Sequence, residues 1–185
     1  MGIFFTSDTH FGHEKVINFC DRPFWIAQDM DENLIKNWNS VVGKNDDVYH
    51  LGDFSFTKRP RTEEIIEALN GRIHLVRGNH DHKDTRKISK FAWVKDYHEL
   101  KVVDGDIKQM IVLCHYPIES WNRRHHGSWH LHGHCHGSMA RDKGHRRLDV
   151  GVDVHSYTPI SYEQIRALME GYGVKNVDYH EVKVS

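Results

Sequence analysis

The sequence predicts one α/β domain over residues 1–185. Short apolar runs alternate with stretches of helical periodicity through the first half of the chain, and the second half is richer in strands. A chain of 185 residues can bury a full core without disulfides. We find no internal repeat, low-complexity tract or linker, so we expect a single domain.

The first half is predicted to contain three strands and three helices. Each strand is a short apolar run, at 3–7, 47–51 and 72–76. The helices are predicted at 16–19, 28–42 and 61–70. The second helix has an apolar stripe, a possible capping box in Asp29 and Glu32, and Gly43 at its end. Gly71 is the predicted C-cap of the third helix.

In the second half, strands follow one another more closely. A short helix near 85–91 precedes them, and an amphipathic helix at 161–172 follows them. A further strand is expected within the stretch GSWHLHGHCHG, from Gly127 to Gly137. The other strands are predicted at 97–103, 109–114 and 146–152.

Composition limits the classes of function. The net charge is -1 and the pI is near 7.0, so no strong overall field would attract nucleic acid or an anionic membrane. The stretch from Tyr116 to Leu148, however, contains six Lys or Arg and only two acidic residues, and we call it the basic segment. The three cysteines form no Cys-x-x-Cys and no disulfide framework. Together with the lack of a signal-like or membrane-spanning apolar run, they lead us to expect a cytoplasmic protein.

Histidine is unusually abundant, with 17 copies, and this enrichment favours metal chemistry. If the strand in GSWHLHGHCHG is regular, His134 and His136 point to one face and Cys135 to the other. Two imidazoles on one face make half of a metal site, since neutral imidazole is the commonest metal ligand. A His-rich surface strand without metal is the alternative for this pair taken alone.

Each predicted strand ends at a polar cluster. Open α/β sheets present ligands at the carboxyl ends of their strands, so we expect these clusters to meet. In chain order they are Asp8-Thr9-His10, Gly52-Asp53, Gly78-Asn79-His80-Asp81, His115 and Gly133-His134-Cys135-His136.

This ordered series resembles the signature of the calcineurin-like metallophosphoesterase superfamily, which is D-x-H, G-D, G-N-H-D or G-N-H-E, H, and G-H-x-H. The resemblance spans residues 8–136. It implies a two-sheet β-sandwich flanked by helices, in four α/β/β/α layers. The stretches SDTHFGH and RLDVGVD further resemble a subgroup of small bacterial and phage phosphoesterases.

Carried over position by position, the resemblance implies two divalent cations. Asp53 would bridge them, because carboxylate oxygens can serve two metals at once. Mixed oxygen and nitrogen ligands without thiolate suit manganese, iron, nickel, cobalt or zinc, and we expect manganese first. The first cation would be held by Asp8, His10, Asp53 and His136, and the second by Asp53, Asn79, His115 and His134.

The implied reaction is hydrolysis of a phosphoester. Hydroxide formed between the two cations would attack phosphorus, and His80 would assist the leaving oxygen. Asp81 is predicted to take part of the role of orienting His80. The predicted phosphate contacts are Asn79, Arg77 and, from the basic segment, Arg123 and Arg124.

The substrate is left open. The G-D-x-x-D-R-G motif of phosphoprotein phosphatases is missing, because Gly52-Asp53 continues as Phe54-Ser55-Phe56-Thr57. With no obvious cap domain and a basic rim, we favour a phosphodiesterase. A nucleotide phosphatase or pyrophosphohydrolase, a nuclease and a non-catalytic scaffold are the alternatives.

We expect a phosphoester partner, with a nucleotide among the candidates, and no membrane partner. Binding to nucleic acid and the oligomeric state are not indicated. His13, His125, His126 and His155 stay open between contacts with the substrate and structural or solvated positions. We expect His130 and His132 to be structural, and Cys114 and Cys135 to be small buried apolar residues.

Overall fold

The computed structural model describes residues 1–139 and 143–173. Within them the chain forms two β-sheets flanked by helices, which confirms the predicted fold class. The strands are β1 (Ile3–Thr6), β2 (Asp47–His50), β3 (Arg72–Val76), β4 (Trp93–Lys95), β5 (His98–Asp104), β6 (Ile107–Leu113), β7 (Trp129–His132), β8 (Arg147–Asp149) and β9 (Ile160–Ser161).

The first sheet has the order β4-β3-β2-β1-β9, and the second has the order β5-β6-β7-β8. Strands β1 to β4 pair in parallel, and β9 joins β1 antiparallel. In the second sheet β5 and β6 form an antiparallel hairpin, while β6, β7 and β8 run parallel. The carboxyl ends of β1, β2 and β3 therefore lie along one edge of their sheet, and those of β6 and β7 along one edge of theirs.

Four α-helices complete the described part of the chain. They are α1 (Glu14–Phe19), α2 (Ala27–Val41), α3 (Arg59–Ala68) and α4 (Tyr162–Glu170). Short 3-10 turns occur at Lys83–Lys87, Arg124–His126 and Val152–Val154. None of the helices in residues 1–139 and 143–173 has the length and apolar character needed to cross a membrane.

Two cores hold these layers together. On one face of the first sheet, Val48 and Leu75 pack with Trp38 of α2 and Ile65 of α3. On the other face the two sheets meet, and α4 contributes to the same cluster. Alternation of side chains along each strand produces this division, since successive residues turn to opposite faces. The inter-sheet core includes Phe5, Leu51, Val76, Ile111, Leu113, Leu131, Ile165 and Met169.

Several element boundaries differ from the prediction. The capping box at Asp29 and Glu32 does not form, because α2 already begins at Ala27, whose amide donates to Glu14 Oε2 over 2.7 Å. Helix α3 ends at Ala68, before the predicted Gly71. The expected helix at 85–91 is instead the 3-10 turn Lys83–Lys87.

The strand in GSWHLHGHCHG is shorter than predicted. It ends at His132, so His134 and His136 lie in the following turn and not on the strand. Strand alternation is therefore the wrong reason for their convergence. The very short strands β4 and β9 were not predicted, because three and two residues carry little periodicity.

Candidate metal centre

All seven predicted ligands lie just beyond the ends of β1, β2, β3, β6 and β7. Most of them have a left-handed backbone, with φ between 47° and 70°, which is uncommon for residues other than glycine. Such strained conformations cluster at functional sites. The left-handed members are Asp8, His10, Asp53, His134 and His136.

The first predicted set converges around Asp8. Ligand atoms of Asp8, His10 and His136 all lie within 4.8 Å of one another. The Nε2 atom of His136 is 4.0 Å from Asp8 Oδ1. Both Asp8 oxygens also accept the His134 amide, over 3.1 and 3.0 Å, which orients the carboxylate.

Asp53 lies between the two predicted sets. Its Oδ2 atom is 3.6 Å from His10 Nε2 and 3.5 Å from His115 Nε2. Its Oδ1 atom accepts the His80 amide over 2.8 Å. One oxygen therefore faces a histidine of each set, as a bridging carboxylate must.

The second set gathers around His115. Its Nδ1 lies 2.7 Å from the carbonyl of Leu51, so Nδ1–H can donate there and leave the Nε2 lone pair facing the site. Nε2 is 2.9 Å from Asn79 Oδ1. The exposed His134 ring lies 5.1 Å from the His115 ring, centroid to centroid. All four predicted members thus share this edge.

Glycine is required where this edge is most crowded. A Cβ on Gly133 would lie 1.9 Å from Ser7 Oγ and 2.3 Å from Asp8 Oδ2. On Gly78 it would lie 2.2 Å from Asp53 Oδ1. Any side chain at these two positions would displace a predicted ligand.

The residues present fit divalent cations. His10 is 2% exposed, yet neither of its ring nitrogens has a hydrogen-bond partner among the described residues. Burial raises the pKa of Asp8 to about 8 and lowers the pKa of His10 to about 2. The imidazole therefore stays neutral and cannot compensate a buried carboxylate, whereas a cation could use both groups.

The comparison with protein families agrees with this geometry. The model of the calcineurin-like phosphoesterase superfamily domain matches residues 1–152. The chain belongs to this superfamily.

Two other proteins are similar to this one over nearly its whole length. An uncharacterised protein of Methanocaldococcus jannaschii is 36% identical over 175 residues, covering 91% of this chain and 91% of its own. The gene 66 protein of Mycobacterium phage D29 is 33% identical over 198 residues, covering 91% and 98%. A crystal structure of an Aquifex aeolicus protein of unknown function has a TM-score of 0.67 at 24% identity, covering 90% of this chain and 98% of that one, and it supports the fold.

In this calcineurin-like phosphoesterase, two residues that the sequence analysis missed support the first set of ligands. Asp153 Oδ2 lies 2.7 Å from His136 Nδ1 and so orients that ring. Arg22, which is 4% exposed, donates to both Asp153 oxygens over 2.8 and 2.9 Å. It also donates to the carbonyls of Asp8 and Thr9. Asp153 follows β8, so the rule of polar clusters at strand ends could have found it; no local signal marks Arg22.

His80 and Asp81 have different positions at the site. His80 is exposed, and its ring centroid lies 5.6 Å from that of His10. Asp81 accepts the amides of Asp53 and Gly78 with Oδ2 and that of Phe54 with Oδ1, over 2.8 to 2.9 Å. The hydrogen bonds of Asp81 thus hold the backbone that carries Asp53, and the part of Asp81 in orienting His80 stays a prediction.

The predicted arginines differ in their position relative to the ligands. Arg77 lies beside Asn79, but its Nε donates to Asp96 Oδ1 over 3.0 Å. Arg123 and Arg124 lie at the amino end of β7, whereas the ligands follow its carboxyl end. A four-residue strand separates these ends by about 13 Å. We therefore correct the prediction that Arg123 and Arg124 contact the phosphate.

The rest of the basic segment also lies away from the ligands where it is described. Arg146 donates to the carbonyl of Gly127, near the amino end of β7, and Arg147 pairs with Glu119 over 3.1 Å. Arg141 and Asp142 lie outside the described residues. The described arginines of the basic segment thus do not form a basic rim around the ligands.

The remaining histidines and cysteines divide between the site and the scaffold. His13 stacks on Phe56 at 3.7 Å and, with Cys135, lines the cavity at the ligands, so Cys135 is not the buried residue that we expected. Cys114 is half-buried. His130 and His132 are buried and make hydrogen bonds to the backbone. His125 and His126 lie in the 3-10 turn Arg124–His126, before β7. His155 Nε2 is 2.9 Å from the Asp149 carbonyl oxygen.

Proposed function

We propose that this chain hydrolyses phosphodiesters with two divalent cations, manganese first among them. The observation that carries this proposal is the position of Asp53 Oδ2, 3.6 Å from His10 Nε2 and 3.5 Å from His115 Nε2, with the exposed His80 on the adjacent loop. Two cations supply a water of lowered pKa and neutralise charge on the phosphoryl oxygens. The carboxylates of Asp8 and Asp53 provide the negative charge that would hold these cations.

The chain's own residues would orient the substrate and move a proton. The Asn79 amide lies at the same edge and can donate to a phosphoryl oxygen through Nδ2. The ring of His80 is exposed, while its backbone amide is fixed on Asp53 Oδ1. His80 can thus reach a leaving oxygen from a defined position and give it a proton.

The space around the ligands favours a diester over a monoester. A cavity of about 700 Å³ lies over His10, Asp53 and His136, with Val16 and Phe19 as an apolar wall. A second cavity, of about 450 Å³, opens past His80, and a third, of about 300 Å³, opens past Asn79. A phosphomonoester needs space for one substituent only, whereas a diester needs space on two sides of phosphorus.

A non-catalytic scaffold is the rival from another functional class. It is disfavoured because His80 and all seven predicted ligands are present at one edge. Buried carboxylates and an unpartnered buried imidazole lower stability unless they are used, so a pure scaffold would gain nothing by keeping them.

The test is hydrolysis of bis(p-nitrophenyl) phosphate and of p-nitrophenyl phosphate by the manganese-loaded protein. We expect turnover of the diester, its loss on chelation, and a fall in kcat of about 10²- to 10⁴-fold in His80→Asn with bound manganese unchanged. His126→Asn, at the amino end of β7, is the matched control and should retain activity. Turnover of the monoester alone would refute the diester preference, and activity insensitive to both chelation and His80→Asn would refute the enzyme.

A further inference from the structure

A pocket of about 450 Å³ is lined by His80 but by none of the seven predicted ligands, and we call it the His80 pocket. His80 also lines the cavity over the ligands, so the two spaces share this side chain. Pockets of about 300 to 1,000 Å³ are the size that small-molecule ligands occupy. The His80 pocket lies between the loop after β2, the start of α3 and the 3-10 turn Lys83–Lys87.

One part of the pocket is suited to a flat ring. Phe54 and Ile88 are buried in its wall, and Phe56 is 42% exposed beside His80 at 5.0 Å between ring centroids. One face of the Phe56 ring is held in place, because it stacks on His13 with an interplanar angle of 9°. A planar ligand can therefore pack on a rigid apolar surface next to the proton donor.

Another part of the pocket is suited to an anion. Lys58 and Arg59 line it, and the first turn of α3 contains no acidic residue. Arg59 pairs with Glu63 over 2.7 Å, and Asp84 in the opposite wall pairs with Lys87. Among residues 1–139 and 143–173, the Lys58 ammonium has no ion pair. Lys58 is thus the positive charge of this pocket that remains available.

Hydroxyl groups connect these two parts. Ser55 Oγ is 2.8 Å from Thr57 Oγ1, which is 3.0 Å from Thr62 Oγ1. All three residues line the pocket. A hydroxyl can donate or accept a hydrogen bond, so these three side chains can bind the hydroxyl groups of a sugar.

We propose that the His80 pocket receives the leaving group, and that the preferred leaving group is a nucleotide, with a base against Phe56 and a second phosphate at Lys58. This inference rests on the proposed phosphodiester hydrolysis. In that step the oxygen of water bonds to phosphorus and the bond from phosphorus to the leaving oxygen breaks. His80 gives its proton to that oxygen, and the proton that water releases reprotonates His80 through solvent. The departing group is therefore formed on the His80 side.

The test compares three dinucleotides with the manganese-loaded protein: TpT, pTpT and TpTp. A terminal phosphate on the leaving nucleoside should raise kcat/KM by about tenfold over TpT, mainly through KM, as expected for one charge-assisted contact. In Lys58→Ala the kcat/KM of the substrate with the terminal phosphate, divided by the kcat/KM of TpT, should fall to about one. Lys58→Arg should restore the wild-type ratio. Lys101→Ala, an exposed lysine on β5, is the matched control and should keep the wild-type ratio.

Failure of this inference can be told apart from failure of the proposed function. If the protein hydrolyses TpT but neither terminal phosphate raises kcat/KM, or if Lys58→Ala keeps the ratio, the pocket assignment is wrong and the activity stands. If no diester is hydrolysed, calorimetric titration with thymidine 3′,5′-bisphosphate tests the pocket alone. Binding that weakens about tenfold in Lys58→Ala would then support the pocket, and equal binding to both proteins would overturn it.

Discussion

At the scale of the residue, Arg22 and Asp153 show how the first set of ligands is held. They lie 131 positions apart in the chain, and their side chains are 0% and 6% exposed. Burial opposes the charge of Asp153, but the hydrogen bonds from His136 and Arg22 lower the pKa of Asp153 below its ordinary value. The ionised carboxylate can then fix His136 through Nδ1 and leave Nε2 for a cation.

Replacing the Asp153 carboxylate should mainly weaken metal binding. In Asp153→Asn we expect the affinity for manganese to fall by about 10- to 100-fold, because the His136 ring loses its anionic partner. Titration calorimetry of the metal-free protein measures this directly. Asp106→Asn, in the exposed turn between β5 and β6, serves as the control. An unchanged manganese affinity in Asp153→Asn would show that His136 is oriented without it.

At the scale of the element, α4 is secured at its amino end. Ser161 Oγ accepts the Gln164 amide over 3.2 Å, and Gln164 Oε1 accepts the Ser161 amide over 2.9 Å, which is a capping box. Ser161 also ends β9, which pairs with β1. The cap therefore fixes α4 to β9, the neighbour of the strand that leads to Asp8 and His10.

Removal of this cap should cost stability without changing the fold. We expect Ser161→Ala to lower the free energy of unfolding by about 1 kcal/mol, since one orphan amide loses its partner. Urea denaturation followed by circular dichroism gives the value. Ser40→Ala, on the exposed last turn of α2, should stay within about 0.5 kcal/mol of wild type. Equal stability of the Ser161 and Ser40 variants would mean that α4 is held by packing alone.

At the scale of the whole molecule, buried histidines make folding sensitive to acid. His50 and His130 are both 0% exposed, and burial lowers the pKa of each to about 3. In the unfolded chain a histidine has a pKa near 6.5 and takes up a proton there. The stability contributed by the neutral folded form is thus complete above about pH 6.5 and declines as the pH falls from there toward 3.

This linkage predicts the size of the effect. Between pH 7 and pH 5, each such histidine should remove about 2 kcal/mol from the free energy of unfolding. In His130→Gln the difference between the two pH values should shrink by that amount, because glutamine does not titrate. Urea unfolding of the two proteins at both pH values measures it, with the exposed His126→Gln as reference. A difference identical to wild type would place the acid sensitivity elsewhere.

Much of the fold could be predicted because it depends on local pattern. The strands β1, β2 and β3 and the helices α2 and α4 were found within a few residues, since each is a continuous apolar run or a clear amphipathic stripe. Boundaries were wrong where contacts distant in sequence decide them. The start of α2, for example, is set by Glu14 of α1 and not by the predicted pair Asp29 and Glu32.

The same division holds for the candidate site. The order of the polar clusters determined the superfamily, the identity of the predicted ligands and their place at strand ends, because each cluster is a local feature read from neighbouring residues. Only the tertiary structure decided that Asp153 and Arg22 support His136, that Asp81 holds the Asp53 backbone, and that Arg123 and Arg124 lie at the opposite end of β7. These relations depend on which strand ends lie next to one another once the two sheets have packed. The spacing of residues along the sequence does not specify those contacts.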